Sequence, residues 1–172
     1  MMKDAVITAD ELLLLSRLFD YPEGLTVPSE LAGTAVASWV KDMGNVSLKE
    51  LQAEYVRLFI NTLPELPCPP YGSFYIEGVL MGESTVRLKN LHLSYGLQTD
   101  EMADNIAVEL ELLALLGALS GEVAPVREDY EFVLNHLKRW LPGFLDRVEA
   151  NAQTDYYRQI SKYARKVLCA DT

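Results

Sequence analysis

Few side chains in this sequence have the chemistry to attack a bond, move a proton or hold a metal. His92 and His136 are its histidines, and Cys68 and Cys169 its cysteines. Neither histidine has a second His, Cys or carboxylate three or four residues away, although Asp129 lies seven residues before His136. A closed metal site needs three or four ligands, so metal binding is disfavoured. Cys68 sits between Pro67 and Pro69 and reads as a small, half-buried side chain rather than a nucleophile. Glu109 and Glu111 are two apart, so on a helix they point about 200° from each other and cannot act as an acid–base pair. Gly78, Gly82 and Gly96 are scattered, with no phosphate-cradling loop and no GxGxxG after a strand. These residues argue against an enzyme and call for no cofactor.

Two constellations suit recognition instead. The first is Cys68-Pro-Pro-Tyr71-Gly-Ser-Phe-Tyr75. Paired prolines fix φ, Gly72 allows close backbone approach, and Tyr71, Phe74 and Tyr75 supply the aromatic area common at peptide-binding surfaces. The plainer reading is a plug packed onto the body of the protein, since aromatic residues are also core residues. The second is the acidic group Asp100, Glu101 and Asp104. Acidic residues at a helix start are expected from the helix dipole alone. Read functionally, the same carboxylates would pair with arginine.

The elements that must position these groups are helical. Thr8-Ala-Asp-Glu11 and Ser47-Leu-Lys-Glu50 fit capping boxes. The first opens a helix carrying Leu12, Leu15 and Phe19 and stopped at Tyr21-Pro22. The second opens one whose Leu51, Tyr55, Leu58 and Phe59 form a stripe, ending near Asn61 before the prolines. Between them a helix is expected from about Ser29 to Met43. Thr62–Ser73 reads as a stiff extended loop, followed by a short helix over Phe74–Met81 and another over about Ser84–Tyr95, stopped by Gly96. Asp104–Ser120 is apolar at almost every position except Glu109 and Glu111, so it should be buried on most sides. Three amphipathic segments, Val126–Trp140, Pro142–Ala152 and Thr154–Cys169, complete the chain. The expected architecture is all-α, a single-domain bundle over residues 1–172 built around a central helix at about 104–120.

Bulk properties narrow the partner. The chain has 172 residues, 25 acidic against 15 basic, for a formal charge of −10. That field repels nucleic acid and anionic membranes and attracts basic peptides, although acidity also serves plain solubility. Two distant cysteines suit a reducing compartment. Met1–Phe19 lacks the basic region and cleavage site of an export signal, and Ile106–Leu119 is too short to span a bilayer and carries carboxylates. A cytoplasmic protein without stable membrane insertion is expected.

Several motifs in order then resemble one family. Glu54-Tyr55-Val-Arg-Leu58-Phe59, Pro69-Pro70-Tyr71-Gly72-Ser73-Phe-Tyr75, Asp104 with Glu109-Leu-Glu-Leu112, and His136-Leu-Lys-Arg-Trp140-Leu-Pro142-Gly-Phe144 resemble the signatures of the TorD/DmsD/NarJ redox-enzyme maturation chaperones. Tyr156-Tyr157 through Leu168 is similar to that family's closing helix, and the Pro-Pro-Tyr-Gly-Ser loop leans toward the TorD/DmsD branch. The likeness runs from about Leu51 to Leu168. Two positions depart from the pattern: Asn105 stands where the family usually has His, and Gly72 where many members have Glu.

The resemblance implies an all-α chaperone without a catalytic site. It would bind the leader, often twin-arginine, and the apo form of a molybdopterin-containing oxidoreductase subunit, assisting cofactor insertion and delaying export. Carried over, the peptide site would comprise Tyr55, Phe59, Pro70, Tyr71, Gly72, Ser73, Tyr75, Glu101, Asp104 and Asn105, with arginines near Asp104 and Glu101. Open alternatives are a guanine-nucleotide-binding enzyme, a helical adaptor, and a NarJ-like assembly factor for a non-exported reductase. Both a monomer and a helix-exchanged dimer hinged at the proline-rich segment remain open.

Overall fold

A computed structural model describes residues 7–24, 46–121 and 123–169. The helix expected over Ser29–Met43 lies outside these residues. Those described form an all-α structure: α1 (Ala9–Phe19), α2 (Leu48–Tyr55), a π-helical turn (Val56–Ile60), α3 (Gly72–Glu77), α4 (Glu83–Ser94), α5 (Ile106–Leu119), α6 (Ala124–Asn151) and α7 (Asp155–Leu168). Both expected capping boxes form. The Thr8 and Ser47 hydroxyls accept from the Glu11 and Glu50 amides, and each glutamate accepts from its cap residue's amide. Such a cap stabilises a helix by about 1 kcal/mol.

The core is layered on α5. Helix α1 packs along it most extensively, then α6, while α7 closes on α6. Leu12, Leu15, Leu110, Leu113, Leu137, Leu141 and Val148 are wholly buried in this packing, and the Ser16 hydroxyl donates to the Ala107 carbonyl at 2.7 Å across the α1–α5 contact. Contrary to the sequence reading, α6 runs unbroken through Pro142. Proline deprives the helix of one amide donor. Buried Leu137, Trp140 and Leu141 before it, with Phe144, Leu145 and Val148 after it, keep both halves against one core and hold the helix together.

The second stripe helix ends in a π turn, where the Asn61 amide donates to the Val56 carbonyl at 2.9 Å. The irregular chain that follows is tied down at intervals. The Cys68 amide donates to the Leu58 carbonyl at 3.1 Å, and the Arg147 guanidinium to the Pro67 carbonyl at 3.1 Å. Gly72, expected within the loop, already belongs to α3. Gly78 and Gly96 have φ near +70°, ending α3 and α4 in the left-handed conformation that favours glycine.

Candidate functional site

The proline–tyrosine loop meets the start of α5 in a short antiparallel bridge between Tyr71 and Asn105. The Gly72 amide donates to the Asp104 carbonyl and the Ile106 amide to the Pro70 carbonyl, each at 2.9 Å. The Asn105 side chain caps α5 by accepting from the Ala107 amide at 2.9 Å. Asparagine is among the strongest cap residues, which gives it a structural task at the position where the family pattern has histidine.

Most of the site residues expected from sequence converge here, but they do not all face outward. Asp104 is 0% exposed, and its Oδ2 accepts from the Ser73 amide at 2.8 Å. Ser73, Gly72, Pro70 and Asn105 are buried with it. Tyr75 lies half-buried with its ring stacked on Trp140, centroids 5.7 Å apart. Phe59 is inside, edge-on to Tyr157 and tilted against Phe144. Glu101 is exposed and Tyr71 half-buried; the Tyr71 hydroxyl donates to Glu101 Oε1 at 3.4 Å. Burial, then the Glu101 charge, pushes the Tyr71 phenol up to about 12. Tyr55 lies just beneath. Burial raises its phenol, and the nearby charges of Asp20 and Glu101 act in the same direction.

The open surface of the site is therefore an aromatic–acidic corner. Tyr21, 41% exposed, stands edge-on to Tyr55 with centroids 5.4 Å apart, and exposed Asp20 precedes it. Asp20 and Tyr21 were not expected from sequence, where Tyr21-Pro22 reads only as a helix stop. A tyrosine and a carboxylate at that stop were the available signal. Chemically the corner offers two carboxylates and the accessible phenol rings of Tyr21 and Tyr71, a set that pairs with and stacks on a guanidinium.

Beneath the corner lies a buried polar network that sequence reasoning also missed. Glu109, 0% exposed, is hydrogen-bonded to His136, Oε1 to Nδ1 at 2.6 Å, and accepts from the Trp140 indole at 3.2 Å. Burial pushes the Glu109 carboxyl up to about 7, against the opposing pull of His136 and Trp140. A carboxylate inside an apolar helix, and a His and Trp four apart on one helix face, were the signals. Gly72 lies against this network: a Cβ there would meet His136 Cε1 and Trp140 Nε1 at 2.9 Å. Among the described residues no three His, Cys, Asp or Glu side chains gather as a metal site would require.

A profile for the nitrate reductase delta subunit family matches residues 27–146. The chain belongs to this family. Within it, the chain is 32% identical over 124 residues to the Tat proofreading chaperone DmsD of Salmonella typhi, covering 71% of this chain and 60% of that one. It is 28% identical over 126 residues to the chaperone protein TorD of Vibrio parahaemolyticus, covering 66% and 58%. The chain thus spans about three-fifths of the length of these curated relatives. A solved structure from Archaeoglobus fulgidus, assigned to redox enzyme maturation, superposes with a TM-score of 0.72 at 28% identity over 98% of both chains. This family member shares that all-α fold.

Proposed function

We propose that this protein is a chaperone for a molybdopterin-containing oxidoreductase, binding the subunit's N-terminal leader and apo form in the cytoplasm until cofactor insertion is complete and export can proceed. It changes no covalent bond. The carrying observation is the corner itself: Asp20 and Glu101 flank the rings of Tyr21 and Tyr71 at the surface, with Tyr55 buried beneath them. A leader arginine there would pair with a carboxylate and lie over a ring. Asp104 supports the site from below, holding the loop through the Ser73 amide instead of meeting the arginine. The relatives named above are chaperones, one of them a Tat proofreading chaperone, which supports the same reading.

Calorimetric titration with a synthetic peptide carrying paired arginines and an apolar stretch tests it. Binding to the wild-type protein, weakened by Glu101→Gln and by Tyr71→Ala, is the expected result. Equal affinity for both variants and wild type would remove the corner from consideration.

A further inference from the structure

We propose that the apolar stretch of the same leader lies in a groove that leaves the Glu101 corner, passes the connection at Leu97–Thr99 and runs between α1 and α5 to Leu13 and Leu115. This rests on the leader reading above and adds a seat that the motifs do not mark. Two clefts form the groove, with volumes of about 460 and 500 Å³. They share His92, Leu97, Gln98 and Thr99, so one continues into the other. The first is lined at its far end by Asp100, Glu101 and Met102, next to the tyrosine corner. The second reaches Leu13 on α1 and Leu112 and Leu115 on α5.

Helix α5 is the reason to expect an occupant. A helix apolar on every side is normally covered on every side. Yet Leu115 and Leu119 stand at the surface among the described residues, as does Leu13 opposite. Soluble helices present polar residues at such positions; α5 presents only Glu111 beside this apolar strip. The charge pattern then selects the kind of segment. Among the described residues, Asp10, Glu111, Asp100 and Glu101 line the two clefts against one lysine, Lys89. An apolar segment flanked by basic residues is attracted, and one flanked by acidic residues is repelled.

Length and polarity agree with this. The α5 wall runs from Val108 to Ala118, about 15 Å at the helical rise, which takes about ten helical residues or four to five extended ones. The near cleft abuts the proposed arginine site, and Leu13, Leu112 and Leu115 lie beyond it in the far cleft, with Asp10 and Glu111 there to meet basic residues that flank the apolar stretch.

The test uses two synthetic peptides, one with paired arginines followed by a Leu/Ala stretch and one with the arginines alone. Leu13→Asp with Leu115→Asp should weaken the long peptide by about tenfold or more, since both leucines lose the apolar area they would bury against it. The short peptide should bind this variant and wild type equally. Unchanged affinity for the long peptide would overturn the groove and leave the leader reading standing. No binding of the long peptide to wild type would overturn both. A second measurement needs no variant: a benzophenone placed in the Leu/Ala stretch should crosslink wild-type protein on the faces of α1 and α5 around Leu13 and Leu115. Crosslinks confined to α3 and the Tyr71 loop would overturn the groove.

Discussion

Glu109 and His136 face each other across 2.6 Å in the interior, on helices α5 and α6, and Gly72 of the tyrosine loop packs directly against the His136 ring. The carboxylate joins the central helix to the helix that carries Trp140, so one buried polar contact fixes how these two helices meet below the tyrosine corner.

Glu109→Leu should destabilise the protein by about 1–3 kcal/mol for each polar partner left unsatisfied, His136 Nδ1 and the Trp140 N–H. Denaturant unfolding followed by tryptophan fluorescence measures this directly. A loss smaller than that of an exposed control such as Glu111→Leu would contradict the network.

The same carboxyl sets a pH dependence. Unfolded, Glu109 ionises near 4.5; folded, near 7. Between those values the folded state holds the extra proton, so raising the pH through the window removes stability, and below it the term is constant. Thermal melts of wild type should therefore fall from pH 4.5 to pH 7 relative to Glu109→Gln, which lacks the titrating group. Parallel melting curves for the two proteins would count against it.

Asp104→Ala should act on stability before it acts on binding. Its Oδ2 holds the Ser73 amide at 2.8 Å in a fully buried position, and losing that acceptor should cost about 1–3 kcal/mol. Glu101→Gln, at the surface, should change stability by no more than about 0.5 kcal/mol. Urea titrations of the two variants side by side give the comparison.

Gly72→Ala should destabilise by about 1–3 kcal/mol, because its Cβ would sit 2.9 Å from both the His136 ring and the Trp140 indole. The indole reports the strain by itself: a shift in tryptophan emission without loss of helix content is expected. A silent substitution would mean that the loop stands farther from α6 than described.

Cys68 should resist thiol reagents in the folded protein. It is buried, and burial pushes its thiol up to about 12, leaving almost no thiolate near neutral pH. Cys169 is only partly buried, so a chromogenic disulfide reagent should label it first and reach Cys68 only on unfolding. Equal native reactivity of the two would refute this.

Local signals were enough for most of the described helices, though the short helix expected over Phe74–Met81 spans Gly72–Glu77 and stops at Gly78. Capping boxes, stripes at helical spacing and glycine stops depend on residues three or four apart, and the chain folds locally as those signals require. The motif order likewise put the loop and the α5 start in one candidate region, and the bridge between Tyr71 and Asn105 makes them neighbours. Pro142 misled for the opposite reason: a local helix-breaking tendency lost to packing on both of its flanks, which no short window contains.

Which carboxylates face outward was settled only by tertiary structure. Asp104 and Glu101 look alike three residues apart, yet one is sealed against an amide contributed from 31 residues away and the other lies open beside Tyr71. Asp20 and Tyr21 join the corner, and Glu109 meets His136, through contacts between distant segments. Periodicity specifies which face of an element is apolar; the partner that face or side chain meets depends on how whole helices pack, and that is set by the summed burial of the core.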